Sequence, residues 1–90
     1  MESVIKKIVE FVIRKYPVFT KFYVQTELNP LSYYIEQDRN KVYNIILISN
    51  YYNIESLPVD WKDVVNEIKT LAKMASVDNN VNVYHDWEPE

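Results

Sequence analysis

Apolar side chains recur at helical spacing over the first 16 residues of the chain. The i, i+3, i+4 pattern of one helix face is followed by Ile5, Ile8, Val9, Val12, Ile13 and Tyr16. Glu2 or Ser3 is predicted to begin this helix and Pro17 to end it, because the residue before a proline avoids the helical conformation. With Val4 and Phe11 the apolar arc covers roughly 200°, twice the ~100° usual for a surface helix. One small sheet is not expected to cover it.

Three strands are predicted to follow this helix. They run from Val18 to Leu28, from Ser32 to Gln37 and from Lys41 to Ser49. Asn29-Pro30 is typical of a turn, and residues 38–41 predict a tight hairpin turn. In a chain without glycine, Asn40 is the residue of that turn best suited to a left-handed conformation.

The third predicted strand is apolar on both faces. Its centre is the continuous run Ile45, Ile46, Leu47 and Ile48. A strand of this kind is covered on both sides in a folded protein. Since the sequence predicts only two helices, the second cover is expected to come from another subunit.

The sequence indicates where a second helix begins. Asp60 is predicted to be its N-cap and Asp63 to occupy the third helical position, where both carboxylates favour the positive end of the helix dipole. Its apolar stripe consists of Trp61, Val64, Val65, Ile68, Leu71, Ala72 and Ala75. A turn at 78–80 and a fourth strand at the edge of the sheet, Val81–Trp87, are predicted to follow.

These elements predict one α+β domain over residues 1–90, with the order α-β-β-β-α-β. The expected architecture is an antiparallel sheet with two helices packed on one face. No segment reaches the ~18 apolar residues needed to cross a bilayer, and no signal-peptide pattern is present. The chain also has no cysteine. We therefore expect a cytoplasmic protein that does not bind membranes.

Catalytic, metal and cofactor sites are not predicted. The one histidine, His85, neighbours Asp86, but adjacent residues of a strand point to opposite faces. The serines have no nucleophile-elbow context. One histidine without cysteine gives no zinc pattern, and a chain without glycine has no phosphate-binding loop.

Acidic residues are concentrated in the second half of the chain. Residues 1–49 carry a net charge of +2 and residues 50–90 a net charge of −5, counted from the sequence. Asp60, Asp63 and Glu67 fall within ~60° on the second helix. Further carboxylates before and after it are Glu55, Asp78, Asp86, Glu88 and Glu90. If the fold gathers them, they form a surface for a protein that binds phosphates. The alternative is that they cap and solvate the helix.

Tyrosines form a second candidate surface. Their positions in the predicted strands place Tyr23, Tyr34 and Tyr43 on one sheet face with Ile45 and Leu47. If both helices cover the other face, this one is an exposed aromatic patch, which usually marks an interface. Together with the wide arc of the first helix, it predicts a homodimer. The alternative is that tyrosine is simply a good strand former.

Direct binding of nucleic acid is not expected. The order α-β-β-β-α is that of double-stranded-RNA-binding domains, which need basic residues on the second helix. Here that helix begins with Asp60 and Asp63, and the basic flank is limited to Lys62, Lys69 and Lys73. The net charge of −3 also opposes phosphate binding.

The whole chain resembles the small acidic early proteins of T-even phages, of the anti-restriction nuclease type. The resemblance rests on length, on the abundance of Tyr, Ile, Asn and Lys, on the absence of Cys and Gly, and on the acidic ending Asp86-Trp87-Glu88-Pro89-Glu90. It implies a dimeric DNA mimic that blocks a host restriction nuclease or another DNA-binding protein in the host cytoplasm.

The leading hypothesis is therefore a non-enzymatic acidic inhibitor of a host DNA-binding protein, without a cofactor. The alternative is an interaction module, such as a phage regulator or an immunity protein, that docks through the tyrosine face.

Overall fold

The computed structural model describes residues 2–28, 41–76 and 80–89 of the chain. In this part the elements are α1 (Glu2–Lys15), β1 (Phe19–Leu28), β2 (Lys41–Ser49), a short 3-10 helix (Ile54–Ser56), α2 (Trp61–Met74) and β3 (Val81–Trp87). The class is α+β, as the sequence predicts. The predicted strand Ser32–Gln37 and the turn with Asn40 lie outside the described residues.

α1 begins and ends, and α2 begins, where the sequence signals place them. α1 ends one residue before Tyr16-Pro17, and the Tyr16 amide donates to the Val12 carbonyl at 3.0 Å. Asp60 caps α2, since its carboxylate accepts from the Lys62 amide at 2.9 Å. This bond satisfies one of the amides that a helix start leaves without a partner.

Both helices pack on one face of the sheet. The core brings buried residues of α1 (Ile5, Val9, Val12) and of α2 (Val64, Ile68, Ala72) onto the β2 side chains Tyr43, Ile45 and Leu47. Other apolar residues of the wide α1 arc, namely Val4, Ile8, Ile13 and Tyr16, are partly buried against the same core. The second helix therefore takes up much of the apolar surface that one small sheet would leave uncovered.

The sheet is mixed, so the expectation of a wholly antiparallel sheet is wrong. The strand order is β1-β2-β3; β1 pairs with β2 antiparallel, whereas β3 pairs with β2 parallel. The reason lies in the connection between β2 and β3, which contains α2. A helix that runs back along the sheet returns the chain to the end where β2 began, so β3 runs in the same direction as β2. As predicted, β3 lies at an edge of the sheet.

The end of α2 has a backbone conformation that usually requires glycine. Ser76, two residues after the helix, has φ of 59°, and its amide donates to the Lys73 carbonyl at 3.0 Å. A side chain in this left-handed conformation clashes with the neighbouring carbonyl oxygen.

We expect Ser76→Gly to raise the free energy of unfolding by about 0.5–1 kcal/mol, because glycine removes this clash at a moderate entropic cost. Ala75→Gly is the matched control, since Ala75 has φ of −89° and gains nothing from glycine. Urea unfolding of the three proteins measures the difference. Equal destabilisation by the two substitutions would contradict the prediction.

Candidate functional site

The parallel pairing of β2 and β3 brings several elements to one end of the sheet. Ser49 and Trp87, at the carboxyl ends of these strands, are paired neighbours, and β1 begins there with Phe19 paired to Ser49. α2 also begins there, because the Trp61 ring lies 6.2 Å from the Phe19 ring and 6.0 Å from the His85 ring. We call this region the carboxyl end of the sheet.

Five of the eight acidic residues expected at a partner surface lie at the carboxyl end. They come from the 3-10 helix, from the start of α2 and from the end of β3, and all are exposed: Glu55, Asp60, Asp63, Asp86 and Glu88. Asp78 and Glu90 lie outside the described residues. The fold thus gathers carboxylates that are up to 33 positions apart in the sequence, 55 to 88.

Cations are interspersed among these carboxylates. Arg14 and Lys15 end α1, Lys21 lies near the start of β1, and Lys62 lies in the first turn of α2. Lys21 is paired with Glu88 at 2.6 Å. The carboxyl end is therefore a mixed surface with more carboxylates than cations. Its carboxylates other than Glu88 are Glu55, Asp60, Asp63 and Asp86.

Glu67, the eighth residue of the acidic set, connects the two helices. Its carboxylate accepts from Lys15 Nζ at 3.0 Å and from the Tyr16 hydroxyl at 2.9 Å. The hydrogen bond from Lys15, supported by that from Tyr16, lowers the pKa of Glu67. The acidic line along α2 is therefore interrupted after Asp63, because Glu67 is turned towards α1 and is largely covered.

The tyrosine surface is not the one that the sequence predicts. Tyr43, Ile45 and Leu47 are buried beneath the helices, so their assignment to an exposed interface is wrong. Tyr34 lies outside the described residues. The reason is the register: Thr26 pairs with Tyr43, which places Tyr43 on the inner face with Phe22 and Val24, while Tyr23 takes the outer face.

The outer face of the sheet carries a different aromatic row. Tyr23 pairs with Ile46 and Ile46 pairs with Tyr84, so the three side chains cross all three strands. Both tyrosines expose 52% of their surface. Polar residues continue the face, since Asn82 donates to Asn44 at 3.2 Å and Asn44 donates to Glu27 at 3.1 Å. Sequence reasoning missed Ile46 and Tyr84 because β2 is apolar on both faces, which leaves its orientation undetermined.

Two large aromatic side chains are exposed among the carboxylates of the carboxyl end. The rings of Tyr52 and Trp87 meet edge to face, 5.1 Å apart and inclined at 73°. Tyr52 exposes 73% of its surface and Trp87 44%. Exposed aromatic side chains surrounded by polar groups have the composition of binding hot spots.

Beneath this pair, a serine and a histidine are hydrogen-bonded. Ser49 Oγ lies 2.7 Å from His85 Nε2 and also accepts from the Tyr51 amide at 3.1 Å. Burial lowers the pKa of His85, against the opposing charge of Asp86. Ser49 has no exposed surface, so its hydroxyl does not face a substrate. The pair fastens β3 and the chain after β2 to each other. The strand positions of these residues, 36 apart in sequence, did not suggest this contact.

Among residues 2–28, 41–76 and 80–89 there is no group of three or more His, Cys, Asp and Glu side chains that could hold a metal ion. The helices within these ranges are too short or too polar to span a membrane. The carboxyl end combines polar and aromatic side chains, with no metal-binding group among its described side chains.

The lowered pKa of His85 predicts a stability change with pH. The folded state binds the proton less readily than the unfolded state, whose ordinary value is 6.5. The contribution of neutral His85 is complete above that value and decreases as the pH falls below it. Urea unfolding between about pH 7.5 and pH 5 should show this loss of stability. In His85→Gln, which keeps a hydrogen-bonding side chain but does not titrate, the loss should be smaller. Parallel curves for the two proteins would contradict the prediction.

Comparison of the chain with protein-family models, with curated proteins and with solved structures finds no match. The function is therefore inferred from the arrangement of the side chains. Three features of that arrangement bear on it: the acidic and aromatic carboxyl end, the aromatic row of the outer face, and the tie that Glu67 forms between the helices.

Proposed function

We propose that this protein is a non-enzymatic acidic inhibitor that binds a host DNA-binding protein, such as a restriction nuclease, through the carboxyl end of its sheet. The observation that carries the proposal is the location of five exposed carboxylates at the same end of the sheet as the exposed Tyr52–Trp87 pair. Aromatic anchors contribute most of the binding energy of many interfaces, while surrounding charges select the partner and accelerate association.

The net charge of the molecule limits how closely its surface can imitate the charge density of DNA. Duplex DNA carries one negative charge per ~1.7 Å of axis, or about six in 10 Å. The carboxyl end has five exposed carboxylates with cations among them, and the whole chain has a net charge of −3. Charge density alone does not reproduce DNA. We propose that a few carboxylates engage the lysines and arginines of the partner, while the aromatic pair supplies contacts that DNA lacks.

The resemblance to the small acidic early proteins of T-even phages supports the same proposal. Inhibitors of host nucleases of this kind act in the host cytoplasm, where their targets bind DNA. In this proposal the protein needs no cofactor and does not itself bind nucleic acid, since the carboxyl end repels phosphates. The serine–histidine pair has a structural role because Ser49 is buried.

Neutralising two carboxylates of the carboxyl end should weaken partner binding. Glu55→Gln with Asp63→Asn removes two exposed charges and leaves the Asp60 cap and the Glu67 contacts intact. Glu10→Gln with Glu27→Gln is the matched control, because it changes the net charge equally, from −3 to −1, away from this end. Each lost contact with a charged group is expected to cost about 1 kcal/mol or more, so affinity should fall by about tenfold or more in the first variant.

The measurement is retention of bacterial DNA-binding proteins on the immobilised protein, identified by mass spectrometry and challenged with excess duplex DNA. Release by DNA, and loss of retention in the first variant alone, is the expected result. Retention of a partner that duplex DNA does not displace would refute occupation of a nucleic-acid site. An equal loss in both variants would refute the assignment to the carboxyl end.

The outer face of the sheet favours a second candidate, an interaction module that forms a homodimer. Tyr23, Ile46 and Tyr84 form its centre, and the adjacent row consists of Lys21, Asp86 and Ile48, of which Ile48 is only 4% exposed. A two-fold axis along the strands would place Lys21 opposite Asp86 of a second copy, where Lys21 would bridge that carboxylate and Glu88 of its own chain. A three-stranded face is small beside the ~800 Å² that each partner buries in a standard interface. We therefore expect weak, concentration-dependent association.

Tyr84→Lys should abolish this dimer, because it places a charge in the centre of the apolar row on each copy. Phe11→Lys is the matched control, since Phe11 has a similar exposure of 55% but lies on α1. Sedimentation equilibrium over a wide range of protein concentrations measures the association. A monomer at every concentration, or a dimer that survives Tyr84→Lys, would exclude this interface.

A further inference from the structure

A polar groove lies at the opposite end of the molecule, between the second half of α2 and the start of β3. Its volume is about 450 Å³, and it is lined by Asn66, Lys69, Thr70, Lys73, Asn80, Val81 and Asn82. The α2 residues are spaced at i, i+3, i+4 and i+7, which aligns them along one side of that helix. The groove is distinct from the carboxyl end, and it meets the outer face of the sheet at Asn82.

The charge of the groove is positive although the chain as a whole is acidic. Lys69 and Lys73 contribute two cations, and none of the seven lining residues is acidic. Neither lysine has an ion-pair partner within the described part of the chain, whereas Lys15 and Lys21 are both paired. The carbonyl end of α2 contributes about half a negative charge, which two full positive charges outweigh. The groove therefore attracts anions.

The remaining lining groups are hydrogen-bonding side chains. Asn66 and Thr70 lie on α2, and Asn80 and Asn82 lie on the opposite wall, where the Asn82 side chain is hydrogen-bonded to Asn44 on the outer face. Val81 is the one apolar residue among the seven. None of the seven has an aromatic ring on which a nucleobase could stack. A ligand here would need an anionic group for the lysines and hydroxyl or carbonyl groups for the amides and the threonine.

We infer that this groove binds a small polyhydroxylated molecule that carries a phosphate monoester, of the sugar phosphate class. The phosphate lies between Lys69 and Lys73, and the hydroxyl groups exchange hydrogen bonds with Asn66 and Thr70. The volume falls in the ~300–1,000 Å³ range of small-molecule sites. Since the groove is open and polar, the affinity is expected to be modest, in the high micromolar to millimolar range. This inference does not depend on the proposed inhibitor function.

The test is a titration of the full chain, monitored through amide chemical shifts in ¹H–¹⁵N spectra. Three probes are used: glucose 6-phosphate, inorganic phosphate and glucose. We expect saturable shifts in the groove with glucose 6-phosphate, weaker binding of phosphate, and no binding of glucose. Equal affinity for phosphate and glucose 6-phosphate would overturn the assignment to a sugar phosphate. The absence of any saturable shift in the groove would overturn the site itself.

Variants separate a built site from general attraction to surface lysines. Lys69→Gln with Lys73→Gln should reduce the affinity for glucose 6-phosphate by about tenfold or more, because two charge-assisted contacts are lost. Lys62→Gln is the control, since Lys62 lies on the same helix, is exposed and is outside the groove. Unchanged unfolding midpoints would show that all variants are folded. An equally large loss in Lys62→Gln, or an unchanged affinity in the double variant, would overturn the inference.

Discussion

The side chains of Tyr43, Ile45 and Leu47 are almost fully removed from water because two antiparallel helices lie across the inner face of β2. Burying a side chain of this size contributes about 1.5–3 kcal/mol, and a chain of 90 residues has few such contributions to lose. The contact also fixes orientation. Since strand residues alternate between faces, burying Tyr43, Ile45 and Leu47 turns the side chains of Val42, Asn44, Ile46 and Ile48 to the outer face. The register then assigns a face to the paired residues of both neighbouring strands.

The helical connection between β2 and β3 gives the molecule two different ends. It makes these strands parallel, so that the residues following β2, the start of α2 and the end of β3 meet at the carboxyl end. Most of the described carboxylates of the second half lie there, beside Tyr52 and Trp87. The end of α2 and the start of β3 meet at the other end and form the groove with Lys69 and Lys73. The molecule therefore has an acidic end and a basic groove, although its net charge is only −3.

Polar contacts secure the elements that define these surfaces. The Glu67 carboxylate joins Lys15 and Tyr16 at the end of α1 to the middle of α2. The Ser49–His85 hydrogen bond joins the edge strand to the central strand immediately below the Tyr52–Trp87 pair. Residues that look like functional chemistry in the sequence, a carboxylate on an acidic helix and a lone histidine beside an aspartate, are thus used to hold the fold together. Glu67 therefore does not belong to the proposed partner surface, to which α2 contributes Asp60 and Asp63.

The sequence by itself determined the α+β class, the bounds of α1, the start of α2 with its Asp60 cap, and the edge position of β3. These follow from local signals: helical and strand periodicity, a proline after α1 and a capping aspartate. The tertiary structure alone decided the parallel pairing of β3, the face on which Tyr43 lies, the diversion of Glu67 to α1, the Ser49–His85 contact and the groove beside α2. Each depends on partners that are distant in the sequence. β2 shows why, since a strand that is apolar on both faces fits either orientation until the helices and its neighbouring strands select one.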